Sequence, residues 1–275
     1  MSPAQILALG AVAGLTIFIG LPVGRLRSPH LALKAFLSAT ATGILLFLLW
    51  DVLSGAVEPV ESALRGGEHA RFAGLGAVAA GCFALGLLSL VYYDRWMAGH
   101  RRKNMLGPGA AAVGEFPLPG TVLSPARTLA LLIATGIGLH NFAEGLAIGQ
   151  SAARDEIALA LMLVIGFGLH NATEGFGIVA PLSGESSVPS WRFLTFLGFI
   201  GGAPTFLGTL IGQAWASEAI EVAFLALAGG SILYVVTALF AVCSRLGSKT
   251  VIAWGVLLGL LLGFGTDMVL VAVGA

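Results

Sequence analysis

Eight long apolar stretches dominate the sequence, and each is long enough to cross a lipid bilayer as a helix, which takes about 20 mainly apolar residues. Such continuous runs do not fit the alternating pattern of a membrane β-barrel. We therefore predict an all-α polytopic membrane protein that forms one membrane domain over residues 1–275. The first stretch is longer than the apolar region of a signal peptide and follows no Lys or Arg, so we expect it to be a true span. The predicted spans are residues 4–24, 31–57, 72–94, 126–150, 155–181, 191–214, 219–243 and 250–273.

The composition excludes two other classes of protein. Of the 275 residues, 57% are hydrophobic and 10% are charged, whereas a soluble domain has about 25% charged residues. The 14 Lys and Arg are balanced by 14 Asp and Glu, so the chain lacks the basic field of a nucleic-acid-binding protein. Cys82 and Cys243 lie inside apolar runs, where we expect small core residues rather than a disulfide framework.

The basic residues are divided unequally between the two sides of the membrane. Eleven Lys and Arg lie in or beside the loops that follow odd-numbered spans, and three lie on the other side. Because cytoplasmic loops carry the excess of Lys and Arg, we predict that the long loop 95–125 is cytoplasmic and that both termini face outward. Seven acidic residues collect on the outer side, where they either concentrate cations at an opening or are merely solvated. They are Glu58, Glu61, Glu68, Asp155, Glu156, Glu218 and Glu221.

One motif is repeated inside two consecutive spans. Residues 136–149 read GIGLHNFAEGLAIG and residues 166–179 read GFGLHNATEGFGIV, with eight of fourteen positions identical. The two copies lie near the middle of the fourth and fifth spans, which must run antiparallel. This arrangement predicts an inverted repeat with a binding site between the copies, near the midplane of the bilayer.

The repeated polar residues have the chemistry of a site for a divalent transition metal. A His and a Glu four positions apart lie on one face of a helix, so two facing helices bring two imidazoles and two carboxylates together. Zinc, iron, manganese and cadmium are all compatible with these ligands, and the amides can add oxygen ligands or orient the others. Packing alone does not explain paired ionisable groups inside spans. The predicted ligands are His140, Asn141, Glu144, His170, Asn171 and Glu174.

The sequence allows two interpretations for each of two acidic residues at other positions in the spans. Asp51 follows Trp50 in the second span, and Asp267 lies near the outer end of the last span. Each is either a stepping stone for metal or protons, or an interfacial residue with access to water. In the same last span, Gly255, Gly259 and Gly263 are spaced four residues apart and predict a packing seam.

HNFAEG at 140–145 and HNATEG at 170–175 resemble the paired motifs on the fourth and fifth spans of the ZIP (Zrt/Irt-like) metal-ion transporters, in particular the bacterial members. The resemblance implies that the chain carries zinc or a related divalent ion toward the cytoplasm, across the cell (inner) membrane. It implies a homodimer, in which spans 1, 4, 5 and 6 move against spans 2, 3, 7 and 8. It also implies that the two asparagines assist a second, adjacent metal ion.

The chain departs from the family pattern at several positions. Many members have a proline before the motif glutamate, where this chain has Ala143 and Thr173. Many also have a carboxylate on the sixth and seventh spans, which is missing here, and a histidine-rich loop, which is reduced to His100.

The expected activity is transport by alternating access rather than catalysis. Metal binds to deprotonated ligands, so protons compete with it, and the sequence has no ATP-binding P-loop. An intramembrane zinc-dependent hydrolase is the alternative, but its sequence would favour H-E-x-x-H, whereas this chain has H-N-x-x-E in two symmetric copies. A metal sensor or scaffold is disfavoured because the chain has no sizeable soluble domain.

Overall fold

The computed structural model describes residues 1–26, 31–104, 123–155, 157–185, 187–214 and 217–272. Within these residues it has eight helices that are long and apolar enough to cross a membrane, and no strand, which confirms the predicted all-α architecture. The first span, α1 (Pro3–Arg25), consists of a helix to Leu15, a short helix from Ile17 and a final 3-10 turn. The others are α2 (Leu31–Arg65), α3 (His69–Asn104), α4 (Pro125–Ala153), α5 (Ile157–Val179), α6 (Trp191–Ala214), α7 (Glu218–Leu246) and α8 (Lys249–Ala272).

Two helices continue well beyond their predicted spans. Helix α2 runs past residue 57 to Arg65, with Pro59 inside it and an ion pair of 3.4 Å between Glu61 and Arg65 one turn apart. Helix α3 continues past residue 94 to Asn104, because no glycine pair or proline interrupts this stretch. Hydropathy alone marks the membrane-spanning part and misses such polar extensions. Residues 105–122 of the predicted loop 95–125, including three of its four prolines, lie outside the described residues.

The eight helices pack as two sets. In the first, which we call the motif set, α4 packs mainly on α6, and α5 packs on α1 and α4. In the second, the outer set, α2 packs on α7 and α8, and α3 packs on α7. Contacts between the sets run chiefly from α4 to α7 and from α2 to α5. The division α1, α4, α5, α6 against α2, α3, α7, α8 matches the grouping that the family resemblance implied.

Glycines bring backbones into direct contact within each set. A Cβ on Gly208 would lie 2.1 Å from the Phe142 carbonyl oxygen, which links α6 to α4. The predicted seam on α8 exists, since a Cβ on Gly259 would lie 2.1 Å from the Thr40 carbonyl oxygen of α2. Between the sets, a Cβ on Gly177 would meet nothing closer than the Ala41 Cβ at 3.7 Å. The helices are therefore packed more tightly within a set than at this point between the sets.

The helix ends that are predicted to face outward carry several ion pairs. Arg71 of α3 contacts both Glu68, at 3.2 Å, and Glu218 of α7. Three of the seven outer acids, Glu61, Glu68 and Glu218, thus have a basic partner, while Glu156 lies outside the described residues. Pairing weakens the predicted concentration of cations at this face, because each neighbouring arginine offsets the field of a carboxylate.

Candidate metal centre

The side chains of the first motif copy lie in the interior of the helix bundle. On α4, the most buried of the eight spans, His140 is 2% exposed, Asn141 is fully buried and Glu144 is 4% exposed. On α5, Asn171 is fully buried and Glu174 is 1% exposed. Both motif carboxylates are therefore shielded from the surroundings, where an isolated charge is costly and needs a partner.

Imidazole and carboxylate groups from the two helices meet at this point. The His140 Nε2 atom lies 2.9 Å from the Glu144 Oε1 atom, as expected for residues one helical turn apart. The same Nε2 atom lies 4.0 Å from the Glu174 Oε1 atom of α5. Nitrogen and oxygen donors of three motif residues thus converge between the antiparallel helices.

His170 is the one predicted ligand whose side chain lies outside the described residues; its place in the chain is within α5. Among the side chains that the structure does describe, no group of three or more His, Cys, Asp or Glu forms a preformed metal cage. The contact between His140 and Glu144 explains part of this result, because a metal ion must come between these two groups to bind both.

Each motif asparagine is fixed by a hydrogen bond to a neighbouring helix. The Asn141 Nδ2 atom donates to the Gly201 carbonyl oxygen of α6 at 2.9 Å, and the Asn171 Nδ2 atom donates to the Ala13 carbonyl oxygen of α1 at 3.2 Å. Both Oδ1 atoms are buried and accept no hydrogen bond from the described residues. A buried amide oxygen in this state is costly unless another group binds it, so both oxygens are available as ligands.

The glycine after each motif glutamate makes matching contacts. A Cβ on Gly145 would lie 2.1 Å from the Thr205 carbonyl oxygen of α6, and a Cβ on Gly175 would lie 2.4 Å from the Ile17 carbonyl oxygen of α1. In each copy the glycine lies four residues after the asparagine. The carbonyl that the glycine approaches likewise lies four residues after the carbonyl that the asparagine binds: Thr205 follows Gly201 on α6, and Ile17 follows Ala13 on α1. The two copies therefore use α6 and α1 in the same way.

The role of α1 and α6 in holding the motif was not predicted from the sequence. A signal for it exists: α1 has glycines at 10, 14, 20 and 24, and α6 has them with the same spacing at 198, 202, 208 and 212. When the glycines of the two helices are aligned, Thr16, where α1 breaks, corresponds to Pro204 inside α6.

The other polar candidates lie at the edge of this centre or away from it. Asp51 is exposed on α2. Asp267 is half-buried near the end of α8. Cys243 is fully buried as predicted, whereas Cys82 on α3 is only partly buried. The interpretations of Asp51 and Asp267 as stepping stones stay predictions.

A family described as ZIP zinc transporters matches residues 118–271, which is more than half of the chain. The matched region contains both motif copies and the five helices from α4 to α8. The chain belongs to the ZIP family. A comparison with curated proteins finds no significant match. Membership of the ZIP family implies transport of divalent metal ions, and gives no support to the hydrolase alternative, because members are transporters rather than enzymes. A divalent metal ion is therefore the substrate of the protein.

Proposed function

We propose that this ZIP protein carries zinc, in preference to iron, manganese or cadmium, toward the cytoplasm through the centre between α4 and α5. The ligands are His140, Glu144, His170 and Glu174, with amide oxygens from Asn141 and Asn171. The observation that carries the proposal is the convergence of the His140 Nε2 atom with carboxylate oxygens of Glu144 and Glu174, at 2.9 and 4.0 Å. Imidazole nitrogen and carboxylate oxygen are common zinc ligands.

Charge balance supports a divalent ion as the substrate. With neutral histidines, the two glutamates supply two negative charges, which one divalent cation neutralises. Metal binding therefore removes the cost of keeping two carboxylates in the interior of the membrane. Protons neutralise the same groups, so we expect metal and protons to compete for the site.

Alternating access is supported by the packing of the two helix sets. The motif set carries every proposed ligand, and it is held together by backbone contacts such as those of Gly145 and Gly208. Between the sets, the nearest neighbours are side-chain atoms: a Cβ on Gly136 would lie 3.0 Å from the Val235 Cγ2 atom, and a Cβ on Gly177 would lie 3.7 Å from the Ala41 Cβ. A movement of the motif set past the outer set thus breaks fewer close contacts than a movement within it. Such a movement exposes the site first to one side and then to the other.

Metal uptake into proteoliposomes tests the site. We expect His140→Ala, Glu144→Gln and Glu174→Gln each to lower zinc uptake by at least tenfold, since each removes a ligand. His69→Ala is the matched control, because His69 is an exposed histidine at the start of α3. Wild-type uptake by His140→Ala and Glu174→Gln would refute the site, and uptake of iron, manganese or cadmium as fast as that of zinc would refute the preference for zinc.

The homodimer and the cell (inner) membrane location are also proposals that follow from family membership. Light scattering of the purified protein in detergent measures the number of copies. Tags at both termini test the orientation, because eight spans place the two termini on one side, and we propose that this is the outer side.

A further inference from the structure

A crevice lies between the two helix sets, at the end of the bundle where α1 ends and α2 begins. It is partly open to its surroundings, and the space inside it that water molecules can enter is about 60 Å³. Its walls come from the last turn of α1, the start of α2 and the end of α5. The wall residues include Leu26, Lys34, Leu37, Ser38, Phe176 and Val179.

Among the described wall residues, the polar side chains are one cation and one hydroxyl. Lys34 and Ser38 lie one turn apart on α2; Lys34 is half-buried and Ser38 is 2% exposed. Leu26 and Leu37 are 64% and 37% exposed, so the crevice opens sideways, toward the hydrocarbon of the membrane, as well as toward its surface. An open apolar crevice with a cation in its wall suits part of an acyl chain next to an anionic headgroup.

Neighbouring residues place the mouth of the crevice at the level of the lipid headgroups. Arg25, at the end of α1, lies over the ring of Trp191 with its guanidinium carbon 4.7 Å from the ring centroid. Trp191 is 57% exposed, and exposed tryptophans with arginines are typical of the membrane interface. Lys34 lies in the first turns of α2, just after this level.

We propose that the crevice binds one anionic phospholipid of the cytoplasmic leaflet, with its phosphate at Lys34 and an acyl chain along Leu37, Phe176 and Val179. This rests on the orientation in the proposed function, which makes this end of the bundle cytoplasmic. Basic pockets between helices on that side recognise anionic headgroups. An ammonium group has three N–H donors, so Lys34 can bind a phosphate alongside another contact.

The position of the crevice gives the lipid a role in transport. Val179 and Phe176 belong to α5 of the motif set, while Lys34 and Leu37 belong to α2 of the outer set. A lipid that contacts both helix sets binds more tightly to one arrangement of the sets than to another. It therefore favours the arrangement described here. Anionic lipid should therefore change the uptake rate as well as the stability of the protein.

Native mass spectrometry of the purified protein tests binding without any metal. We expect more retained phosphatidylglycerol than phosphatidylcholine, and about fivefold less retained phosphatidylglycerol after Lys34→Gln. Leu37→Trp should block binding by filling the crevice while Lys34 stays in place. The matched controls are Lys249→Gln, at the start of α8 on the same side, and Leu258→Trp, on α8 with a similar exposure of 39%.

Several outcomes would overturn the proposal. Equal retention of the two lipids would mean that Lys34 does not select the headgroup, and equal retention by wild type, Lys34→Gln and Leu37→Trp would mean that the lipid binds elsewhere. Displacement of the lipid by inorganic phosphate alone would show that the acyl chain contributes nothing. Because the measurement contains no metal, a failure here leaves the transport proposal standing, and a failure of metal uptake leaves the lipid result standing.

Discussion

Replacement of Gly145 by alanine tests the close approach of α4 to α6. The added Cβ would lie 2.1 Å from the Thr205 carbonyl oxygen and 2.8 Å from the Thr209 backbone nitrogen. Contacts of a Cβ below 3.0 Å are essentially never observed, and neither partner is a flexible side chain. The helices must therefore separate by about 1 Å, at a cost of about 1–3 kcal/mol for overpacking.

The same separation disturbs the metal centre. Asn141, one turn before Gly145, donates a 2.9 Å hydrogen bond to the Gly201 carbonyl oxygen of α6. Metal sites tolerate changes in ligand distance of about 0.2 Å, so a shift of about 1 Å should weaken metal binding by about tenfold or more. We expect Gly145→Ala to lower both the melting temperature and the affinity for zinc.

Thermal unfolding in detergent and zinc-dependent uptake into proteoliposomes measure the two effects. Gly81→Ala is the matched control, because Gly81 lies on α3 and a Cβ there meets no described atom within 4 Å. Gly175→Ala should behave like Gly145→Ala, since its Cβ would lie 2.4 Å from the Ile17 carbonyl oxygen of α1. Wild-type stability and uptake for Gly145→Ala would refute the contact between α4 and α6.

Three further predictions concern the proposed ligands, the ion pair between Arg127 and Glu185, and the cysteines. Zinc uptake at a fixed, subsaturating concentration should fall from neutral to acidic pH, because the site binds metal in its deprotonated form; uptake independent of pH would contradict this. Arg127 and Glu185 contact each other at 3.1 Å with side chains 30% and 11% exposed, so a double-mutant cycle on unfolding should give a coupling of about 1–2 kcal/mol, and additive single effects would contradict it. A membrane-permeant thiol reagent should label Cys82 before Cys243, which is fully buried; equal labelling rates in the folded protein would contradict the packing of α7.

Much of the fold and of the site could be predicted from the sequence because both depend on local patterns. Length and hydropathy set the number of spans, since the bilayer core has a fixed thickness. The spacing of His140 and Glu144 places them on one helix face, and the structure gives their contact of 2.9 Å. The ends of α2 and α3 could not be predicted in this way, because their polar last turns lie beyond the part that hydropathy marks.

The partners of the motif asparagines depend on tertiary structure. Nothing in the motif itself indicates that Asn141 donates to Gly201 of α6 and Asn171 to Ala13 of α1. These acceptors are backbone carbonyls, which every residue has, so residue type carries no signal for them. They lie near the break at Thr16 in α1 and near Pro204 inside α6, where glycines let the backbones meet.

The sequence by itself determined the membrane architecture, the repeated motif and the type of ligand, because apolar length and residue chemistry are properties of short segments. Tertiary structure alone decided which helices hold the motif in place, how the eight helices divide into two sets, and where a crevice opens beside Lys34. These features depend on distances between segments far apart in the chain, such as Gly175 and Ile17. Helix packing sets those distances through the summed contacts of many small residues, which no single stretch of sequence contains.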